Sequence, residues 1–238
     1  RSAGATAVQD EVVGVLCADR LEGRPFSAQE EQILAGAVEH LLRALENERV
    51  FVQLERSKRE HTVLYEASQA LAAAIHEQAV LDAALRAAAQ LVAHDFAAVT
   101  HFDTQTRMHS IRRAVGDGAQ RLHDLTFRDN KASLTAMAVQ NRHYLPYRGD
   151  FDPQKQVVFT KGVNPPGMES LLILPLCVRE ACFGTLALAA KRREAFDHEV
   201  RSALQLLSNQ LAVALSNVAA VARLEEFDEG GEPTPAGE

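Results

Sequence analysis

At 238 residues the chain exceeds one ordinary domain, and its 47% hydrophobic and 24% charged content is that of a globular protein. The formal charge of -7 excludes a nucleic-acid grip, which needs a clustered basic face. No stretch approaches the roughly 18–20 uninterrupted apolar residues of a membrane span, and three cysteines without framework spacing point to a reducing, cytoplasmic setting.

The composition is rich in Ala and Leu, holds no Trp and has 5% aromatics, which favours long helices around a modest sheet. The chain opens at Arg1 rather than Met, as expected of a fragment. Residues 11–19 run β-branched and aliphatic around Gly14 and predict a buried strand. A helix follows, entered through Pro25, Phe26 and Ser27, with Ser27 as N-cap, Glu30 completing a capping box, and Phe26 as a staple.

Ile33, Leu34, Ala37, Val38, Leu41, Leu42 and Leu45 then keep a helical period, and neither Pro nor Gly interrupts the chain between Gly36 and Gly116. The helix is therefore expected to run past residue 60. Within it Val50, Leu54, Ser57, His61, Leu64, Ser68 and Leu71 follow the four-three spacing of a coiled-coil seam, although three of the seven are polar. That pattern fits a parallel dimer stalk, and it equally fits an amphipathic helix packed on its own domain. The basic cluster Arg56, Lys58 and Arg59 is interrupted by acids and reads as a solvated face.

The pattern restarts near residues 75–80, where Val80, Leu81, Ala84, Leu85, Ala88, Leu91 and Val92 predict an amphipathic helix. Two strands, Phe96–Phe102 and His109–Val115, flank the polar turn that begins at Asp103 and suit an antiparallel hairpin. Residues 116–169 are irregular and rich in Gly and Pro, with one short helix from Ser133 to Gln140; loops of that length are usually binding loops or lids. Strands 170–176 and 181–188 come next, with Pro175 marking a bulge or sheet edge.

A last helix begins at the N-cap Asp197 and carries a second seam of Leu204, Leu207, Leu211, Ala214, Val218 and Val221. The Glu-, Gly- and Pro-rich tail from Glu225 reads as disordered.

Offsetting the chain by 170 residues aligns 14–47 with 184–217 without a gap. Gly14 matches Gly184, Leu16 Leu186, Phe26 Phe196, Leu34 Leu204, Leu41 Leu211, Ala44 Ala214, Leu45 Leu215 and Asn47 Asn217. Gly-x-Leu-x-Leu in a strand, Phe before an acid-rich cap and a long Leu/Ala helix resemble the close of a GAF domain. The opening helix, the strand pair, the segment Ser133–Leu145 and the Leu-Pro-Leu ending at Leu176 agree with that family.

The resemblance implies an α+β fold: an antiparallel GAF-type sheet of about six strands flanked by helices, with long N- and C-terminal signalling helices. It divides the chain into 1–56, the closing strand and helix of a truncated first copy, a helical linker 57–75, a complete domain 76–223 and a tail 224–238. It also implies a ligand cavity under the irregular segment and dimerisation through terminal helices.

The family's known ligands are tested against particular residues. Asn130 and Lys131 offer the first element of a cyclic-nucleotide site, but the segment from Phe196 to Val200 lacks the acid pair at the required offset, and Phe26–Glu31 lies in the truncated copy. None of Cys17, Cys177 and Cys182 precedes a His, as bilin attachment asks. Cyclic nucleotide and bilin are both disfavoured, and the cofactor stays unknown. The histidines His94, His101, His109, His123 and His143 lack zinc-site spacing, so no metal site is read and they are taken as structural.

Arg128, Asn130, Ser133, Tyr144, Tyr147, Arg148, Asp150 and Lys161 could line a polar pocket for a small effector, or could satisfy loop backbone groups. Cys177 and Cys182 face one another if Arg179 and Glu180 form a two-residue turn, which makes them a redox pair or simply buried hydrophobes. No phosphate loop, nucleophile elbow or Cys-x-x-Cys occurs, and catalysis is not expected.

The expected function is a sensory module that binds a small effector and signals through a parallel homodimer. Its output domain, a diguanylate cyclase or histidine kinase, lies outside this chain. A structural dimerisation or docking module without ligand, and a small redox enzyme using Cys177 and Cys182, are the alternatives.

Overall fold

A computed structural model describes residues 2–8, 11–21, 23–129, 132–147 and 151–229. The chain divides into two compact units, Arg1–Arg59 and Glu60–Glu238. In the first, β1 (Ser2–Val8) pairs antiparallel with β2 (Glu11–Ala18); β2 is the expected strand, and β1 was not expected. Helix α1 (Ala28–Ala73) starts where the capping box places it. The Ser27 amide donates to Glu30 Oε2 at 2.8 Å, and the Glu30 amide donates to Ser27 Oγ at 3.3 Å, so both orphan donors are satisfied. Arg20 lies over the Phe26 ring at 4.6 Å and pairs with Glu30 at 2.6 Å.

The second unit is built on a five-stranded antiparallel sheet in the order β5-β4-β3-β7-β6. Its strands are β3 (Phe96–Asp103), β4 (Met108–Gly116), β5 (Thr126–Arg128), β6 (Ser170–Val178) and β7 (Ala181–Ala190). Among the described residues its five strands answer the expected antiparallel sheet of about six. Leu145 makes only an isolated bridge to Ile173, because Pro146 follows and has no N–H with which to extend a ladder. Pro175 sits on the edge strand β6 beside a bulge, as its missing donor requires.

One face of the sheet packs on α2 (Glu77–Leu91), the end of α1 and α4 (His198–Glu229). Alternation sends Ala97, Val99, Leu172, Leu174, Leu186 and Leu188 to that side. The Asp197 carboxylate accepts from the Val200 amide at 2.8 Å and caps α4. The opposite face meets α3 (Leu134–Asn141) and the loops through Phe96, Ala98, Phe127, Phe159, Met168 and Ile173.

The helix seams are partly corrected. Leu204, Leu207 and Leu211 are fully buried against the chain's own sheet and α2, and Leu64 and Leu71 are buried in the same cluster. They are committed within one copy and cannot also face a partner. Val50 and Leu54 of α1 remain 63% exposed, His61 is exposed and Val218 is half-buried at the cluster's edge. Among the described side chains of α4 the exposed large hydrophobic residues are Leu206, Val213, Val221 and Leu224, a face the expected seam did not contain apart from Val221.

The expected disordered tail begins too early, because α4 continues to Glu229. Among the described residues His198–Leu224 is long and apolar enough to cross a membrane by length and composition, and a third of its apolar window, including Leu204, Leu207 and Leu211, is buried in the domain core.

Candidate functional site

The expected effector residues do not converge. Ser133 is fully buried and structural: it caps α3, its Oγ donating to Val158 O at 2.9 Å and accepting from the Ala136 amide at 3.4 Å. Arg128 is exposed at the end of β5. Tyr144 and Tyr147 stack at 6.0 Å with the His143 ring 4.3 and 5.1 Å away, and Tyr147 is two-thirds exposed. Lys161 lies instead on a shallow groove of about 960 Å³ with Pro153, Gln156 and Asn164. Asn130, Lys131, Arg148 and Asp150 lie outside the described residues. Beneath the loops, Phe96, Phe159, Met168, Leu171 and Ile173 fill the interior with their own side chains.

A polar cluster on this face escaped the sequence reading. His109 of β4 is wholly buried, its ring 4.6 Å from Phe102 and 5.0 Å from Phe127, and neither ring nitrogen makes a hydrogen bond. Its Nε2 stands 3.6 Å from Asp129, whose side chain is 1% exposed and is held by Arg107 and by the Gln140 amide at 2.8 Å. Burial pushes the imidazole below its ordinary 6.5, against the opposing pull of Asp129. The usable signal was the alternation that puts His109 and Ile111 on the inner side of β4.

On the helical face a groove of about 630 Å³ is lined by Ile75, Leu81, Val99, Phe183, Leu215 and Val218, among others. Its polar edge is made by a bulge. Val99 pairs with Arg113 and Thr100 with Ile111, so Arg112 is the extra residue on β4. Arg112 grips Glu77 of α2 in a two-pronged ion pair of 2.7 and 2.5 Å, and Arg113 meets Asp82 at 3.0 Å. That pairing holds the Glu77 carboxyl below its usual range, while burial lowers His101 beside it. A half-apolar groove with a fixed guanidinium at one end can recognise an amphipathic group.

Cys177 and Cys182 are opposite one another across the β6–β7 turn and are joined by a disulfide. Among the described residues no group of three or more His, Cys, Asp or Glu could hold a metal ion.

The profile of the GAF domain matches residues 74–216. No curated protein matches the chain. Among solved structures, the GAF domain from a phosphoenolpyruvate-protein phosphotransferase of Coxiella burnetii is 15% identical with a TM-score of 0.59, covering 70% of this chain and 98% of its own. The GAF domain of a putative sensor histidine kinase from Pseudomonas syringae pv. tomato is 21% identical with a TM-score of 0.54, covering 74% and 98%. The free methionine-R-sulfoxide reductase of Neisseria meningitidis, solved with its substrate, is 13% identical with a TM-score of 0.56, covering 68% and 91%. At these identities the structures show a shared fold, found as a domain of a phosphotransferase and of a putative sensor histidine kinase and as a methionine sulfoxide reductase. With more than half of its length matched by the family profile, this chain belongs to the GAF domain family, whose members typically serve sensory and regulatory roles in signalling proteins.

Proposed function

We propose that the chain is a cytoplasmic, non-catalytic sensory module of a bacterial signalling protein. It binds a small effector, forms a parallel homodimer through its helices, and relays to an output domain, a diguanylate cyclase or histidine kinase, outside this chain. Residues 1–56 are read as the closing strand and helix of a preceding GAF copy, on the strength of the 14–47 and 184–217 match.

One observation carries the reading. A single unbroken helix, α1, bears exposed apolar residues at Ile33, Leu41, Leu45, Val50 and Leu54 and, further along, the buried Leu64 and Leu71 of the domain core. In this reading a change in core packing at Leu64 and Leu71 passes along α1 toward those exposed residues. An effector biases the equilibrium only by its differential affinity for the two arrangements.

The alternative is a dimerisation or docking module without ligand. The interior filled by Phe96, Phe159 and Met168 favours it. Native mass spectrometry of the purified chain separates the two: a dimer releasing a discrete non-covalent mass supports the sensor, and a ligand-free dimer supports the scaffold. A monomer removes the dimer from both readings.

A further inference from the structure

We propose that the Cys177–Cys182 disulfide is a reversible thiol–disulfide switch, opened by a dithiol reductant, whose state is transmitted to α3 on one face of the sheet and to α4 on the other. This function is separate from effector binding.

The placement of the bond supports it. The two cysteines bracket a tight turn at Arg179 and Glu180, on a hairpin whose outer strand β6 is a sheet edge. Cys177 is half-buried and reachable, while Cys182 is buried. Leu176 pairs with Gly184 and Cys177 with Cys182, so Phe183 is an extra, bulged residue. The bulge reverses the alternation, sending neighbouring side chains to unexpected faces. Cys182 packs with Cys177, Phe102 and Val139 on the α3 side, whereas Phe183 lines the groove beside Leu215 and Val218 of α4.

Each contact leads further into the fold. Val139 precedes Gln140, which holds Asp129, and Phe102 stacks on the buried His109. Val218 lies on α4, the helix that carries exposed Val221 and Leu224 onward. The covalent bond pins the bulge, and opening it frees the backbone at Phe183 to exchange one side chain's face for another.

The chemistry balances as ordinary exchange. A thiolate of the dithiol, a small molecule or a thioredoxin-class protein, attacks Cys177 Sγ, and the bond to Cys182 breaks with Cys182 leaving as thiolate. The second reductant thiol then displaces Cys177. Two electrons and two protons pass to the cysteines, and the dithiol becomes a disulfide. Oxidation by a disulfide of that class reverses the step.

The test uses the whole chain carrying Cys17→Ser, because Cys17 is an exposed free thiol that would confuse the count. Native alkylation with N-ethylmaleimide, read by mass, is expected to add no group to the air-oxidised protein and two per chain after dithiothreitol. Hydrogen exchange is expected to rise at 134–141 and 215–222 on reduction, with 96–103 unchanged. The Cys177→Ser/Cys182→Ser variant is expected at the reduced level with or without dithiothreitol. Two labels on protein treated with a disulfide oxidant would overturn the proposal. So would equal exchange in both states, or a rise at 96–103, which would make the bond a brace of the whole fold.

Discussion

Gly184 on β7 pairs with His101 on β3, and a Cβ built there would overlap the Thr100 carbonyl oxygen, with Thr100 C at 3.1 Å and His101 Cα at 3.4 Å behind it. All three are backbone atoms, so no rotamer change can relieve Gly184→Ala. Restoring contact distance requires β3 and β7 to part by roughly 1 Å, which weakens the ladder bonds on either side at about 1 kcal/mol each. With about 1–3 kcal/mol of packing strain, the loss should be about 3–5 kcal/mol. For a unit of this size that is a fall in Tm of roughly 6–20 °C.

Gly14, its counterpart in the repeat, has nothing within 4 Å of such a Cβ. Gly14→Ala should therefore be neutral, or stabilising by up to about 1 kcal/mol through lost backbone entropy. Thermal and urea unfolding followed by circular dichroism compare the two variants. Equal costs at both positions, or no cost at Gly184, would refute the close-approach account of the strand glycine.

Ser133→Ala should destabilise by about 1–2 kcal/mol in urea melts, since it removes the α3 cap and a buried bond to Val158 O, although Thr135 still serves that carbonyl at 2.7 Å. His109→Leu should flatten the pH dependence of stability. The folded ring is held neutral below its ordinary 6.5, so its contribution is complete above pH 6.5 and declines as pH falls toward the lowered folded value. At pH 7.5 the variant should match or exceed the parent by about 0–2 kcal/mol, because two unpaired nitrogens leave the core while ring stacking is lost. Glu30, lowered from 4.5 to about 2 first by the Ser27 amide and then by Arg20, supports α1 above pH 4.5 and loses that role as pH falls to about 2. Glu30→Ala should therefore reduce helix content by circular dichroism at pH 7, with the difference shrinking as pH falls through about 2.

The local grammar of this chain was legible because each signal acts over a few residues. Ser27 with Glu30 and the carboxylate of Asp197 set the helix starts, Pro175 marked the sheet edge, and the turn at Arg179 and Glu180 placed Cys177 opposite Cys182. The repeat led to the right family for the same reason, since strand, cap and helix are contiguous. What escaped was everything decided by faces. Four-three spacing states that a helix has an apolar stripe but not what covers it, and the sheet claimed Leu204, Leu207 and Leu211 before any second copy could.

Bulges at Arg112 and Phe183 break the period of two, so the residues beyond them change sides without any mark in composition. The eight effector candidates shared an irregular stretch of sequence, yet Ser133 capped a helix and Lys161 faced a separate groove. His109 and Asp129 lie 20 positions apart and meet only because β4 and β5 pair. Sequence by itself determined the elements and their order, because capping, turns and periodicity are local energies. Tertiary structure alone decided which faces are spent on the core and which polar groups share a site, because burial depends on neighbours that the spacing along the chain does not name.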